Sequence, residues 1–155
     1  MIEIERKFLV NDLDKALSNS QKEISIFQGY ISVDPERTVR LRITGEKAFL
    51  TIKGQSSKGG TSRIEWENSI NVDEANRLLP LCCPSTINKT RYHVHENKQL
   101  FEIDVFEGPL KGLVIAEIEL NHPDQKVILP SWIGREVTGD KSYYNSHLAI
   151  HGLPN

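Results

Sequence analysis

Charged and apolar residues alternate with a period of two in seven segments, and this pattern constrains the fold more than any other feature. In the first segment Glu3, Glu5 and Lys7 alternate with Ile2 and Ile4. Because successive side chains of a β-strand point to opposite faces, each segment is predicted to be a strand with one apolar and one charged face. The charged faces carry Glu3, Glu5, Lys7, Arg40, Arg42, Lys53, Arg63, Glu65, Glu67, Lys89, Arg91, Glu102, Asp104, Glu117 and Glu119.

Charges of the same sign occur two residues apart in several of these strands, as at Arg40 and Arg42. A strand that faces water also carries charges, so any single pair is compatible with a solvated face. Like charges at this spacing repel each other and are best tolerated where counter-charges or ligands are supplied. Separate basic and acidic stripes suit a metal-bound polyphosphate, because Arg and Lys bind phosphate oxygens and carboxylates bind hard cations such as Mg²⁺.

Length and composition limit the classes of protein to consider. At 155 residues, with 38% hydrophobic and 26% charged residues, the chain is predicted to be a single domain over 1–155. A net charge of −2 gives no basic field for nucleic acid. No apolar run approaches the ~20 residues that span a bilayer, and charge begins at Glu3, where a signal peptide would be apolar. We therefore expect a cytoplasmic protein without nucleic-acid or membrane partners.

The same alternation predicts eight strands, which lie at about 2–10, 24–32, 38–44, 47–53, 62–71, 88–95, 99–106 and 113–121. Three short helices are predicted, with Asp12, Asp73 and Asp140 as their N-caps. The expected fold class is α+β, mainly β: a closed eight-stranded antiparallel barrel with a few flanking short helices, because closure removes exposed sheet edges. Amphipathic helices need an apolar surface to pack on, which favours a barrel with its charged face inside.

Nine motifs in order along the chain resemble those of one family. They are EIERKFLV, QGYIS, RTVRLRI, FLTIKG, SRIEWE, INKTRY, LFEIDVFEG, IAEIEL and EVTGDKSYYNSHLA. The chain resembles the CYTH superfamily, the triphosphate tunnel metalloenzymes, and among them the small bacterial inorganic triphosphatases. The resemblance implies an eight-stranded tunnel with charged residues inside, a triphosphate substrate and a divalent cation, Mg²⁺ or Mn²⁺.

The resemblance also implies a role for each charged position. The metal ligands would be Glu3, Glu5, Glu117 and Glu119. The substrate-binding cations would be Lys7, Arg40, Arg42, Lys53, Arg63, Lys89, Arg91 and Lys141. The catalytic candidates would be Glu65, Glu67, Lys89 and Asp104. Ser142 stands where relatives often carry a basic residue. Arg63 and Glu102 are equally compatible with structural ion pairs, and Tyr30 with either a tunnel hydrogen-bond donor or a core ring.

The function expected from these features is metal-dependent hydrolysis of a phosphoanhydride bond, with inorganic tripolyphosphate as the leading substrate. Three alternatives stay open: an adenylate cyclase that converts ATP to cyclic AMP, a thiamine or nucleoside triphosphatase, and a polyphosphate-binding module without activity. Trp66 lies on an apolar face and is predicted to point away from the tunnel, where it could not stack on adenine. A homodimer is compatible with the sequence.

Overall fold

The computed structural model describes residues 1–155, which form nine strands, three α-helices and three short 3₁₀ segments. The strands are β1 (Ile2–Val10), β2 (Ser20–Ser32), β3 (Arg37–Thr44), β4 (Lys47–Gly54), β5 (Ser62–Ile70), β6 (Ile87–Glu96), β7 (Gln99–Phe106), β8 (Val114–Glu119) and β9 (Ile133–Glu136). The α-helices are α1 (Leu13–Leu17), α2 (Val72–Leu78) and α3 (Asn145–His151). The 3₁₀ segments are Leu79–Leu81, Gly108–Leu110 and Lys141–Tyr143.

Eight strands close into an antiparallel barrel in the order β5-β4-β3-β2-β6-β7-β8-β1. Closure occurs where β1 pairs with β5 and Ile2 lies opposite Ile64. The predicted closed eight-stranded barrel is thus confirmed. The short strand β9 was not predicted; it pairs with the end of β1, where Phe8 lies opposite Glu136. Its four residues are too few to show a period of two, so only its pairing reveals it as a strand.

The helix caps differ in part from the prediction. Asp12 caps α1, because its side chain accepts a hydrogen bond from the Lys15 amide at 3.0 Å. The prediction for α2 is wrong: Asn71, not Asp73, is its N-cap, accepting from the Glu74 amide at 2.8 Å in a reciprocal capping box. Asp73 lies in the first turn, where a negative charge favours the helix N-terminus. Asp140 caps the 3₁₀ segment before α3 rather than α3 itself.

The apolar faces of the strands point outward and are covered in part by the helices. Ala16 of α1 packs in a cluster with Phe8, Phe101 and Trp132, and Ala75 of α2 packs on Leu41 and Ala48. Leu148 and Ala149 of α3 pack in a third cluster with Tyr30 and Ile87. Each buried large side chain of this kind contributes about 1.5–3 kcal/mol. The core therefore lies outside the barrel wall, which leaves the interior to the charged faces.

None of the helices has the length and apolar character that crossing a bilayer requires.

Candidate active site

The barrel encloses a charged cavity of about 450 Å³. Most predicted site residues line it, namely Glu3, Glu5, Lys7, Arg40, Arg42, Lys53, Arg63, Glu65, Glu67, Arg91, Glu117 and Glu119, and Glu102 of the charged faces lines it as well. Only four of its 23 lining residues are hydrophobic. The predicted inward orientation of the charged strand faces is thus confirmed, and the cavity is suited to a highly charged ligand.

Lys53 and Glu3 form the centre of an ion-pair cluster between β1, β4 and β5. The Lys53 ammonium lies 2.8 Å from a carboxylate oxygen of Glu3 and 2.8 Å from one of Glu65. Arg63 Nε donates to Glu3 at 3.1 Å. Burial disfavours the charge of Lys53 and, helped by the nearby Arg40, lowers its pKa despite the carboxylates of Glu3 and Glu5. Glu3 is therefore already neutralised by two protein cations.

A second cluster joins β1 to β8 and β6. The Lys7 ammonium lies 3.2 Å from Glu5 and 3.0 Å from Glu117, and the other Glu117 oxygen accepts from Arg91 at 3.0 Å. Burial opposes the charge on Lys7, but Glu117 and Glu5 outweigh burial and raise the Lys7 pKa. Burial likewise opposes the Glu117 carboxylate, and Lys7 and Arg91 hold its pKa well below the usual range. Glu117 is thus engaged by two cations.

The basic wall of the cavity is formed by β3. Arg40 donates to Thr51 at 3.1 Å and to Glu67 at 3.3 Å, while its Nε is buried without a hydrogen-bond partner. Arg42 donates twice to the amide oxygen of Gln28, at 3.1 and 3.2 Å, and pairs with no carboxylate. Burial, with the charges of Arg40 and Arg91, lowers the Arg42 pKa to about 10. Two guanidinium groups here retain hydrogen-bonding capacity for an anion.

Tyr30 fits both roles that the sequence left open, a hydrogen-bond donor in the tunnel and a ring in the core. Its ring is buried in the cluster with Ile87 and Leu148, and it also lines the cavity. Its hydroxyl accepts from the Gln28 side-chain amide at 3.2 Å. Burial raises the Tyr30 pKa, which keeps the hydroxyl protonated and available as a donor.

Lys89 and Asp104 lie behind the wall rather than in it. Both side chains are fully shielded from solvent, and neither lines the cavity. Asp104 accepts from Lys89 at 2.5 Å and from Arg91 Nε at 2.6 Å. Burial disfavours the Asp104 carboxylate, but Arg91 and Lys89 lower its pKa; for Lys89 burial prevails and lowers the pKa to about 7. Asp104 is connected to the cavity through Arg91, which lines it, and Lys89 also donates to the lining residue Asn145 at 3.3 Å.

The acidic wall contains the carboxylates that could hold a metal ion. Glu119 forms no ion pair and lines the cavity with Glu3, Glu5 and Glu102. Burial, together with the charges of Glu102, Glu3 and Glu5, raises the Glu119 pKa. No three His, Cys, Asp or Glu side chains converge closely enough to enclose a metal as they stand. The possible ligands are all carboxylate oxygens, and no protein cation pairs with Glu119. Such oxygen ligands match the chemistry of a hard cation.

Lys141 is exposed and does not line the cavity, so the structure does not bring it to the other predicted residues. Several lining residues were not predicted: Thr38, Lys98, Gln99, Leu100, Ile118, Gln125, Tyr144, Asn145 and Ser146. Tyr144 and Asn145 lie within the motif GDKSYYN, which could have indicated them. Residues such as Lys98 in a hairpin turn and Gln125 in a loop show no periodicity that would mark them.

Comparisons with known proteins extend this description. Residues 1–146 match the CYTH domain. The chain belongs to the CYTH domain family. A protein of Acetivibrio thermocellus named inorganic triphosphatase is 47% identical, covering 99% of this chain and 96% of its own length. A Nitrosomonas europaea protein of the same name is 40% identical, covering 97% and 98%.

Solved structures are also similar to this CYTH domain. A crystal structure of an inorganic triphosphatase shares 35% identity with a TM-score of 0.69, covering 98% of this chain and 97% of that one. A Hippeastrum protein, described as a candidate adenylyl cyclase with a dominant triphosphatase activity, shares the fold at a TM-score of 0.65. It is 15% identical and covers 79% of this chain and 81% of its own, so that likeness concerns the fold alone.

Proposed function

We propose that this CYTH protein hydrolyses inorganic triphosphate in a reaction that depends on a divalent cation. The observation that carries the proposal is a single cavity lined both by Arg40 and Arg42, which retain hydrogen-bonding capacity, and by Glu119, which forms no ion pair. A polyphosphate chelated to a cation carries charges of both signs and complements both walls. Two relatives of almost the same length, at 47% and 40% identity, are named inorganic triphosphatase.

The basic wall would bind and orient the phosphate chain. Arg40 and Arg42 lie on β3, and Lys7, Arg63 and Arg91 line the same cavity from β1, β5 and β6. Fixed, desolvated cations stabilise charge that develops on phosphate oxygens and align the chain for in-line attack. Their positions are held by protein acceptors, such as Asp104 for Arg91 and the Gln28 amide for Arg42, so little reorganisation accompanies binding.

Mg²⁺ or Mn²⁺ would be held by Glu5 and Glu119, with Glu3 as a further ligand when the substrate competes for Lys53 and Arg63. When bound, such an ion neutralises charge on the bridging oxygen of the phosphoanhydride and lowers the pKa of water. Glu117 fits this role less directly, because Lys7 and Arg91 already engage its two oxygens. We assign Glu117 to the positioning of those two cations at the metal side of the cavity.

Glu65 and Glu67 are the residues we propose for orienting the attacking water. Both line the cavity, and Glu67 accepts a hydrogen bond from the Thr51 hydroxyl at 2.6 Å. Asp104 and Lys89 are shielded from the cavity, so we assign them to holding Arg91 in place. A nucleophilic water needs an acceptor within hydrogen-bond reach, which the two glutamates supply from β5.

The cyclase alternative requires a site for adenine and ribose. The hydrophobic residues of the cavity are Tyr30, Leu100, Ile118 and Tyr144. Tyr30 is buried and hydrogen-bonded to Gln28, and Tyr144 lies against Arg63, with the guanidinium 5.9 Å from the ring centroid. Trp66 lies outside the cavity and is 47% exposed. We therefore favour inorganic triphosphate hydrolysis over ATP cyclisation and over nucleotide hydrolysis as the function of this cavity.

The test is to measure phosphate release and product identity from tripolyphosphate, ATP and thiamine triphosphate, each with Mg²⁺, with Mn²⁺ and with a chelator. Fast release from tripolyphosphate that the chelator abolishes, and that Glu5→Gln reduces strongly, supports the proposal. Glu23→Gln is the matched control, because Glu23 is exposed on the outside of β2. Cyclic AMP and pyrophosphate from ATP would place the protein with the cyclases. Tight binding without turnover would leave a binding module.

A further inference from the structure

The two ends of the cavity are built differently. One end is covered by the C-terminal segment, where Tyr144, Asn145 and Ser146 line the cavity and α3 packs on the cluster that contains Tyr30. Asn145 also accepts a hydrogen bond from Lys89 at 3.3 Å, which ties this segment to the barrel wall. The opposite end is lined by the β6–β7 hairpin and a loop after β8, and carries Lys98, Gln99, Leu100 and Gln125.

The rim at this second end is held in place by the protein itself. Asn97 and Lys98 both have positive φ, at 53° and 60°, which is the geometry of a two-residue hairpin turn. Gln99 exchanges two hydrogen bonds with the backbone of Ile128, at 2.8 and 2.9 Å. Gln125 accepts from the Asn121 amide at 2.7 Å. Lys98 is thus presented at the mouth by a tight turn that the next residue, Gln99, anchors to the backbone of Ile128.

Lys98 carries the only charge among the four residues of this rim, and it forms no ion pair. The cavity wall adjoining the rim is acidic, with Glu102 near the start of β7 and Glu119 at the end of β8. An anionic substrate that enters here meets those carboxylates, so an unpaired cation at the mouth offsets the repulsion and raises the local substrate concentration.

We propose that Lys98 binds the free terminal phosphate of inorganic triphosphate at this mouth. The inference deepens the proposed function and rests on it. Inorganic triphosphate has a terminal phosphate at both ends, whereas ATP has one only at its γ end. With one terminal phosphate bound at the arginines, the end that reaches the mouth is a free phosphate in inorganic triphosphate and the less charged adenosine ester in ATP, and the rim offers no aromatic ring on which a base could stack. Lys98 therefore favours inorganic triphosphate over ATP at this position.

The experiment compares Lys98→Gln and Lys98→Glu with Lys111→Gln, whose lysine is exposed and lies outside the cavity lining. Steady-state kinetics on tripolyphosphate and ATP are measured at low and high ionic strength. Lys98→Gln raises KM for tripolyphosphate about fivefold, as expected for one exposed charge contact, and leaves kcat nearly unchanged. Lys98→Glu raises KM further, and both effects shrink at high salt. KM for ATP changes less than KM for tripolyphosphate.

Calorimetric binding of tripolyphosphate to the same variants separates this inference from the proposed function. If the native chain does not turn over tripolyphosphate, the proposed function fails, and the dissociation constants then decide on Lys98. Weaker binding in Lys98→Gln than in Lys111→Gln supports the inference. Equal KM and equal dissociation constants in the two variants overturn it, as does an equal effect on ATP and tripolyphosphate.

Discussion

The ammonium of Lys89 lies 2.5 Å from a carboxylate oxygen of Asp104, and both side chains are completely shielded from solvent. Arg91 shares the same carboxylate, with its Nε at 2.6 Å and an Nη at 2.8 Å. Arg91 also reaches Glu117, which lines the cavity. A fully buried pair therefore supports one cation of the candidate active site from behind.

Asp104→Asn is expected to lower the free energy of unfolding by about 3–5 kcal/mol, because it leaves two buried cations without their shared partner. Glu102→Gln is the matched control. Glu102 also pairs with Arg91, but its side chain is 23% exposed, and we expect a loss below about 1 kcal/mol. Urea unfolding at pH 7 measures both. Similar losses in the two variants would show that the buried carboxylate has no special role.

Lys89→Met should change how stability depends on pH. The Lys89 pKa is lowered to about 7, chiefly by burial, while an unfolded lysine titrates at about 10.4. Between these values the unfolded chain binds a proton that the folded protein does not, so stability rises with pH, by at most about 1.4 kcal/mol per pH unit. Lys89→Met removes this rise. Thermal unfolding between pH 7 and 10 measures it, with the exposed Lys22→Met as a control. Parallel curves for the native chain and Lys89→Met would contradict the lowered pKa.

Gly60→Ala tests a contact between the β4–β5 loop and the C-terminal segment. Gly60 has φ of 73°, and a Cβ there would lie 2.2 Å from the Cα of Gly139. Gly45 has a similar φ of 58°, but its Cβ would meet nothing within 4 Å. Gly45→Ala should therefore lower the free energy of unfolding only by the cost of a left-handed backbone conformation, about 1–2 kcal/mol. Gly60→Ala should lower it clearly more, because its Cβ also clashes with Gly139. Chemical denaturation of both variants measures the difference. Equal losses would indicate that the loop shifts without cost.

Glu119→Gln is expected to raise the Mg²⁺ concentration for half-maximal activity roughly tenfold, because it removes the unpaired carboxylate from the acidic wall. Titration of tripolyphosphate hydrolysis with Mg²⁺ measures this, with Glu23→Gln as the control. Calorimetric titration of the protein with Mn²⁺ provides a readout independent of turnover. An unchanged metal requirement in both assays would remove Glu119 from the proposed ligands.

Much of the barrel could be predicted because its signal is local. The alternation of Glu3, Glu5 and Lys7 with apolar residues specifies a two-faced strand wherever that strand pairs. Strand β9 was not predicted, because a segment of four residues is too short to show a period of two. The predicted cap of α2 was wrong because Asn71 and Asp73 are both good N-cap residues. Only the backbone geometry shows which side chain accepts the hydrogen bond from the Glu74 amide.

The sequence alone determined which side chains of a strand share a face, because the period of two assigns each side chain to a face before any strand has a neighbour. Only the tertiary structure decided which charges meet. Lys89 is paired with Asp104 across two adjacent strands and removed from the cavity, whereas Lys98, in a turn without periodicity, is brought to its mouth. Pairing and depth depend on register, closure and the packing of α3, and these involve residues far apart in the chain.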